Sequence, residues 1–458
     1  MAIQIAALAI LALIFIIGTW KPIHLGLLSL TAAFGVGFFL AGETFKETMS
    51  GFPVGILVLL VGVTYLFAIA REAGVVDWII HRALRLIRGK VALIPLVFFA
   101  LAVLLASMGS PLTCVALTPV AMIFVARHKI DPVLMGLAVT LGGTAGGFAP
   151  TSLYGLITNR IAAESGIEPN PLMLFAAGIA FNTVLMAFAF LVFGGRKLLK
   201  DTGTDDELAS AGHGIPAPSP TPGSESGAVS GTRASTLERT TVTATDSLIP
   251  TTTPKLNIFQ KVSLISLACL VTLVVVLSAL NLPTDVGVLA LGLAVLVSIL
   301  FPSRTKPALR GIDWSTILLV GGIVTYVGVL ERVGAMELLG HAAASVNQPL
   351  LAAFVICLVG AFISAFASTT GILGALIPLS LPLMATGNFV GYGLIVALAL
   401  SASLVDTTPF STAGATAVAS APEEERPRMT KIYMRWGFSM IIIAPILTVT
   451  TLVLPTMF

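Results

Sequence analysis

Four knots of small hydroxyl residues sit inside segments that are otherwise apolar. Leu141–Ser152, read Leu-Gly-Gly-Thr-Ala-Gly-Gly-Phe-Ala-Pro-Thr-Ser, interrupts residues 133–161, and Ser403–Ser411, read Ser-Leu-Val-Asp-Thr-Thr-Pro-Phe-Ser, interrupts residues 390–420. Ser107-Met108-Gly109-Ser110-Pro111-Leu112-Thr113 lies at the centre of residues 91–126, and Ser368-Thr369-Thr370-Gly371 at the centre of residues 349–386. Proline removes a backbone donor and glycine weakens a helix. In hydrocarbon each freed backbone group costs several kcal/mol unless protein or water satisfies it. Such breaks are therefore expected where backbone and hydroxyl groups meet a polar ligand. The N-termini of half-helices offer N–H groups and partial positive charge to an anion. Released carbonyls and Ser or Thr oxygens suit a hard cation such as sodium. A cation beside the anion offsets its charge, which is a physical reason for cotransport.

The candidate anion-binding residues are Ser110, Pro111, Thr113, Thr151, Ser152, Ser368, Thr369, Thr370, Thr408 and Ser411; the candidate cation-binding residues are Ser107, Gly109, Ser110, Thr144, Gly147, Ser368, Ser403, Asp406 and Thr407. A single Ser or Thr in a membrane helix is as readily explained by close helix packing. The clustering of these residues at breaks in both halves favours a site. Asp406 is the one acid well inside a break, and a buried carboxylate in a membrane is a functional hypothesis by default. Two readings stay open: it ligates sodium or carries a proton, or it caps the half-helix that follows. Its counterpart in the first half is Gly147, so any role is asymmetric.

The elements that must carry these knots are membrane helices. The chain has 458 residues, 56% of them hydrophobic and 10% charged, with a mean hydropathy of +1.01. That composition excludes an ordinary soluble domain and fits an all-α polytopic membrane protein. Cys114, Cys269 and Cys357 stand singly in apolar runs without metal or redox spacing. The N-terminus has neither a basic n-region nor a small-residue cleavage site, so Ala2–Trp20 reads as a first span. Ten spans are expected: 3–20, 23–40, 54–70, 133–161 (broken), 171–193, 262–280, 286–301, 314–330, 390–420 (broken) and 436–454. Residues 91–126 and 349–386 read as re-entrant hairpins, with two full crossings each as the alternative.

The halves repeat. Gly51/Gly311, Leu59/Leu319, Gly62/Gly322, Gly74/Gly334 and His81/His341 stand 260 apart, while Leu117/Leu376, Pro119/Pro378 and Pro150/Pro409 stand 259 apart. With hairpins not counted, each half (1–200 and 258–458) crosses five times, which turns the second upside down, as in the inverted repeats of secondary transporters. With the N-terminus outside, 22 Lys and Arg fall inside and only Lys46, Arg160 and Arg332 outside, a strong positive-inside bias. N-out and C-out is therefore expected. Val75–Arg88 segregates its apolar and polar residues at helical spacing and reads as an interfacial amphipathic helix, with Ala335–Ala344 as its counterpart. Residues 201–257, rich in Ser, Thr, Pro and Gly, read as a disordered cytoplasmic linker.

Repeats that each hold a polar-tipped hairpin and a proline-broken helix resemble the ion transporter superfamily, and within it the divalent-anion/sodium symporters. Gly109-Ser110-Pro111-Leu112-Thr113 through Leu117-Thr118-Pro119, with Gly142-Gly143-Thr144-Ala145-Gly146-Gly147-Phe148-Ala149-Pro150-Thr151, is similar to bacterial malonate/dicarboxylate carriers of the MatC type. Where those symporters have Ser-Asn-Thr ten residues before a proline, this chain has Gly109-Ser110-Pro111 and Ser368-Thr369-Thr370, without the asparagine. The resemblance implies sodium-coupled symport of a small dicarboxylate, malonate- or succinate-like, in the bacterial inner membrane. It also implies a homodimer with an elevator motion. No cofactor and no nucleic-acid partner are expected. The alternative within transport is a proton-coupled carrier or an exchanger for another anion. An integral membrane enzyme would need convergent His, Cys or acids at membrane depth, and the knots offer one acid and no histidine.

Overall fold

The computed structural model describes residues 2–21, 23–84, 91–109, 113–195, 198, 256–279, 285–336, 338, 348–366, 369–384 and 391–457. Ser110, Pro111 and Ser368, residues 201–255 of the expected linker, the end of the first amphipathic segment and most of the second lie outside the described residues.

Regular structure among the described residues is helical throughout. The first half holds α1 (Ala2–Trp20), α2 (Leu25–Phe39), α3 (Phe45–Ser50), α4 (Val54–Glu72), α5 (Val75–Leu84), α6 (Leu93–Ser107), α7 (Thr113–His128), α8 (Pro132–Gly147), α9 (Leu153–Glu164) and α10 (Pro171–Val192). The second holds α11 (Ile258–Ala279), α12 (Val286–Leu300), α13 (Pro302–Thr305), α14 (Trp314–Arg332), α15 (Pro349–Ser364), α16 (Thr369–Met384), α17 (Gly391–Ser403), α18 (Thr412–Ser420) and α19 (Arg426–Thr448). Four described helices are long and apolar enough to cross a membrane by length and composition, and ten shorter ones are apolar.

Polar caps set where these apolar helices begin. Thr44 and Glu47 form a reciprocal capping box on α3. Asp131 caps α8 ahead of Pro132, Asn170 caps α10 ahead of Pro171, and Asp285 and Asp313 cap α12 and α14. The last long helix starts at Arg426, ahead of the expected Trp436. Its first turn is held by Arg428, which donates to Asp131 at 2.6 Å and to Glu425 at 2.9 Å. The short α3 and α13 are not legible in the sequence as separate elements, because neither carries an apolar run. On α5, Val76, Ile79 and Ile80 are buried while Asp77 and Arg82 are exposed, which is the segregation expected of an amphipathic helix.

The helices pair in a repeated pattern: α2 packs on α14 and α4 on α12, α6 on α8 and α15 on α17. The second hairpin arms exchange partners, α7 against α18 and α16 against α9. Glycine makes the first two crossings possible. A Cβ on Gly322 would stand 1.9 Å from the Gly26 carbonyl oxygen, and one on Gly62 would stand 2.3 Å from the Gly287 carbonyl oxygen. These contacts correspond in the repeat register, Gly62 with Gly322 and Gly26 with Gly287 one residue further along. Backbone therefore meets backbone at equivalent places, the close approach that small residues permit in membrane helices.

Candidate functional site

Each broken helix is shaped by a bend of the same construction. In the first half α8 ends at Gly147, the Ala149 N–H donates to the Gly146 carbonyl, and the Ser152 N–H donates to the Ala149 carbonyl. In the second, α17 ends at Ser403, the Asp406 N–H donates to the Ser403 carbonyl, and the Ser411 N–H donates to the Thr408 carbonyl. The bend folds tightly onto the half-helix that follows. A Cβ on Gly155 would meet the Ala149 carbonyl oxygen at 2.2 Å, and one on Gly414 would meet that of Thr408 at 2.0 Å. Gly155 and Gly414, like Ala149 and Thr408, are repeat counterparts.

Each bend is clamped to its own hairpin. The Thr151 hydroxyl donates to the Ser107 carbonyl at 2.6 Å, at the C-terminal end of α6. The Thr408 hydroxyl donates to the Ala365 carbonyl at 2.9 Å, at the C-terminal end of α15. These hydroxyls satisfy carbonyls that a helix end leaves without an intrahelical partner. Gly109, just beyond α6, has φ +94°, a conformation that glycine adopts without strain.

A cavity of about 520 Å³ opens where the bends and hairpins meet. Thr113, Thr144, Gly147, Ser152, Thr369, Thr370, Asp406 and Ser411 of the candidate residues line it. The other described candidates stand back from this wall and hold the framework. Thr151 and Thr408 are the clamps. The Ser107 and Ser403 hydroxyls donate to the Val103 and Leu400 carbonyls of their own helices. The Thr407 hydroxyl is buried with no protein partner.

The first turns of several helices face the cavity, among them Thr113 of α7, Ser152 and Leu153 at the start of α9, Thr369 and Thr370 of α16, and Ser411 and Thr412 at the start of α18. Ser152 is extended at the α9 N-cap and its side chain makes no capping bond. The cavity also carries two carboxylates, Asp406 and Asp313, and no Lys, Arg or His among the described lining residues. A helix N-terminus attracts an anion by about 0.3–1 kcal/mol at an exposed site and by more where water is excluded.

Asp406 does not cap the half-helix after it. Ser411 is the N-cap of α18, and its Oγ accepts from the Gly414 N–H. The physical reason is distance along the bend: Asp406 sits five residues ahead of the cap, so its side chain is free to turn into the cavity. There its Oδ1 accepts from the Thr369 hydroxyl at 2.7 Å and its Oδ2 from the Tyr154 hydroxyl at 3.0 Å. Asp406 is 7% exposed.

Sequence reasoning missed Tyr154, Cys114, Phe366, Phe410 and the α14 N-terminal residues Asp313, Ser315 and Thr316, which all line the cavity. Tyr154 had a visible signal, since it lies two residues after Ser152. Phe366 and Phe410, with ring centroids 5.8 Å apart, bring aromatic surface from the second hairpin and second bend. Asp313 accepts from the Thr316 N–H at 3.0 Å and from its hydroxyl at 2.6 Å. No local pattern announces that α14 reaches the site.

Residues 1–147 match the family model described as dicarboxylate carrier protein MatC N-terminus. Residues 286–458 match the model described as citrate transporter. Both are families of the ion transporter superfamily type, and they support a secondary transporter. No curated protein sequence matches the chain. The matched segments hold α1–α8 and α12–α19, so the first bend and α9, with Ser152 and Tyr154, lie between them. These families are secondary transporters, and they indicate a membrane carrier rather than an enzyme. Among the described residues no group of three or more His, Cys, Asp or Glu is placed to hold a metal ion.

Proposed function

We propose that the protein is a sodium-coupled symporter of a small dicarboxylate, malonate- or succinate-like, that works by an elevator motion. The observation that carries this reading is the cavity itself: the N-termini of α7, α9, α16 and α18 and one buried carboxylate converge on it, and its described lining holds no basic side chain. The N-termini suit the anion. Asp406, with hydroxyl oxygens around it, suits a hard cation that offsets the anion's charge. The match of the first half to a dicarboxylate carrier family supports the substrate class.

In this reading the halves are inverted repeats with the hairpins re-entrant and both termini outside. The hairpins and broken helices form the moving part of each subunit of a homodimer in the bacterial inner membrane. The glycine crossings α2–α14 and α4–α12 suit a scaffold, since backbone packed on backbone leaves little room to rearrange. Proton coupling through Asp406 is the second reading, favoured by the burial of that carboxylate.

Uptake of labelled malonate or succinate into proteoliposomes separates the two. An inward sodium gradient is expected to drive accumulation and a proton gradient alone is not. Accumulation on a proton gradient without sodium would assign the coupling to protons. No uptake under either gradient, from folded protein, would overturn the dicarboxylate assignment.

The cavity offers a second check. Cys114 lines it, Cys269 is exposed elsewhere and Cys357 is buried. In a Cys269→Ser background, substrate with sodium is expected to slow alkylation of Cys114 by N-ethylmaleimide. At about nine times the dissociation constant the rate falls about tenfold by occupancy alone. An unchanged rate, measured by mass spectrometry, would mean that the substrate binds elsewhere.

A further inference from the structure

The two halves differ in their polar residues along the half-helices that follow the bends. α9 carries Tyr154, Thr158, Asn159 and Arg160, while the corresponding positions at a spacing of 259 hold Ala413, Ala417, Val418 and Ala419. Two of these α9 side chains reach into the second repeat's own bend and broken helix. Tyr154 donates to Asp406 in the second bend at 3.0 Å. One turn on, Asn159 accepts from the Tyr392 hydroxyl of α17 at 2.5 Å. A third, Arg160, faces Asp285 ahead of α12 at 3.5 Å.

The asymmetry at the bend is matched. Asp406 has Gly147 as its counterpart and Tyr154 has Ala413, so the first half gives up its acid where the second gives up its tyrosine. Gly147 is also what makes room for the ring: a Cβ there would stand 2.8 Å from Tyr154 Cδ2. One acid–tyrosine pair spans the two repeats, and the described residues hold no second one.

The pair has a physical purpose at the cavity wall. A buried carboxylate without a basic partner must be satisfied by hydrogen-bond donors, and Thr369 and Tyr154 are the donors it has. A cation arriving at Asp406 takes over that role. Tyr154 is at the same time in the first turn of α9, whose N-terminal residues Ser152 and Leu153 line the cavity as well. The geometry points to Tyr154 as a positioning residue that couples a single cation at Asp406 to the anion-binding N-terminus of α9. When the cation replaces the Tyr154 hydrogen bond, the first turn of α9 is released to close on the substrate. Coupling then runs from the second bend to the first by one side chain.

This inference rests on the cation-coupled reading above, and its test keeps the two apart. Tyr154→Phe keeps the ring, which packs 5.5 Å from Phe148, and removes only the hydroxyl. The dissociation constant of labelled malonate or succinate is measured on purified protein in lipid nanodiscs, at saturating sodium and with choline in its place. In the wild type sodium is expected to tighten binding by about tenfold or more, within the usual range of coupled sites. In Tyr154→Phe the ratio is expected to fall to about twofold or less. Sodium is also expected to give a tyrosine ultraviolet difference spectrum in the wild type that the variant lacks. An undiminished ratio in Tyr154→Phe overturns the coupling role alone. A loss of affinity by the same factor in both buffers, which leaves the ratio intact, also overturns it, since it would mark a packing role. A wild-type ratio of one overturns the sodium-coupled reading together with this inference.

Discussion

Asp406→Ala is expected to abolish concentrative dicarboxylate uptake, with a fall of about two orders of magnitude or more, equivalent to about 2.7 kcal/mol. The side chain is 7% exposed and is the shared acceptor of Thr369 and Tyr154. Its removal leaves the Tyr154 hydroxyl without its acceptor, at about 1–3 kcal/mol for a buried donor left unsatisfied, while the Thr369 hydroxyl keeps that of Ser364 at 2.9 Å. It also takes away the charge that offsets a bound cation beside the anion. Asp406→Asn separates these effects, because the amide keeps the volume and an acceptor oxygen but carries no charge. Proton-driven uptake would be abolished by the amide, whereas a sodium-driven carrier retains part of its uptake. Initial rates in proteoliposomes, normalised to folded protein, measure both. Wild-type rates in Asp406→Ala would remove Asp406 from the mechanism.

The second large effect is on folding. Gly322→Val is expected to prevent assembly of the scaffold crossing, because the added Cβ would stand 1.9 Å from the Gly26 carbonyl oxygen. The obstacle is backbone, so no side chain can swing aside and the two helices must separate. Overpacking of this kind costs about 1–3 kcal/mol where side chains can yield, and more where they cannot. Gly62→Val, facing the Gly287 carbonyl at 2.3 Å, is expected to act alike at the equivalent crossing. Gly292→Val is the control: nothing lies within 4 Å of a Cβ there, and the gain in helix propensity over glycine is a few tenths of a kcal/mol. Thermal melting in detergent, read by size-exclusion recovery, should show the first two variants lost and the third unchanged.

Most of the helices are legible in the amino-acid sequence. Long apolar runs with Pro, Asp or Asn at their starts fix helix type and approximate bounds, because hydrocarbon and capping leave little choice. Both breaks are legible as well, since Gly and Pro in an apolar run act through local chemistry alone. The start of α19 is not, because its first turn is polar and is held by Arg428 reaching Asp131 in the other half of the chain.

Within the site, residue type says which side chains are polar and buried, and only geometry says which of them face the cavity. Thr151 and Thr408 sit in the bends beside Ser152 and Ser411, yet the threonines donate to hairpin carbonyls and the serines line the wall. That difference turns on how the backbone rotates between residues only one to three positions apart. For Asp406, sequence leaves a cap and a site equally open, and the position of Ser411 at the N-cap of α18 decides between them.

By itself, the sequence determined that this is a helical membrane protein built from two related halves, each with a polar hairpin tip and a broken helix. Those features depend on composition, periodicity and local backbone chemistry, which neighbouring residues set. The tertiary structure alone decided that Tyr154 meets Asp406, that α14 brings Asp313 to the cavity, and that glycines 26, 62, 287 and 322 hold the crossings. Each of these joins residues of opposite halves, and contacts so far apart in the chain are fixed by the packing of whole helices, which no local pattern encodes.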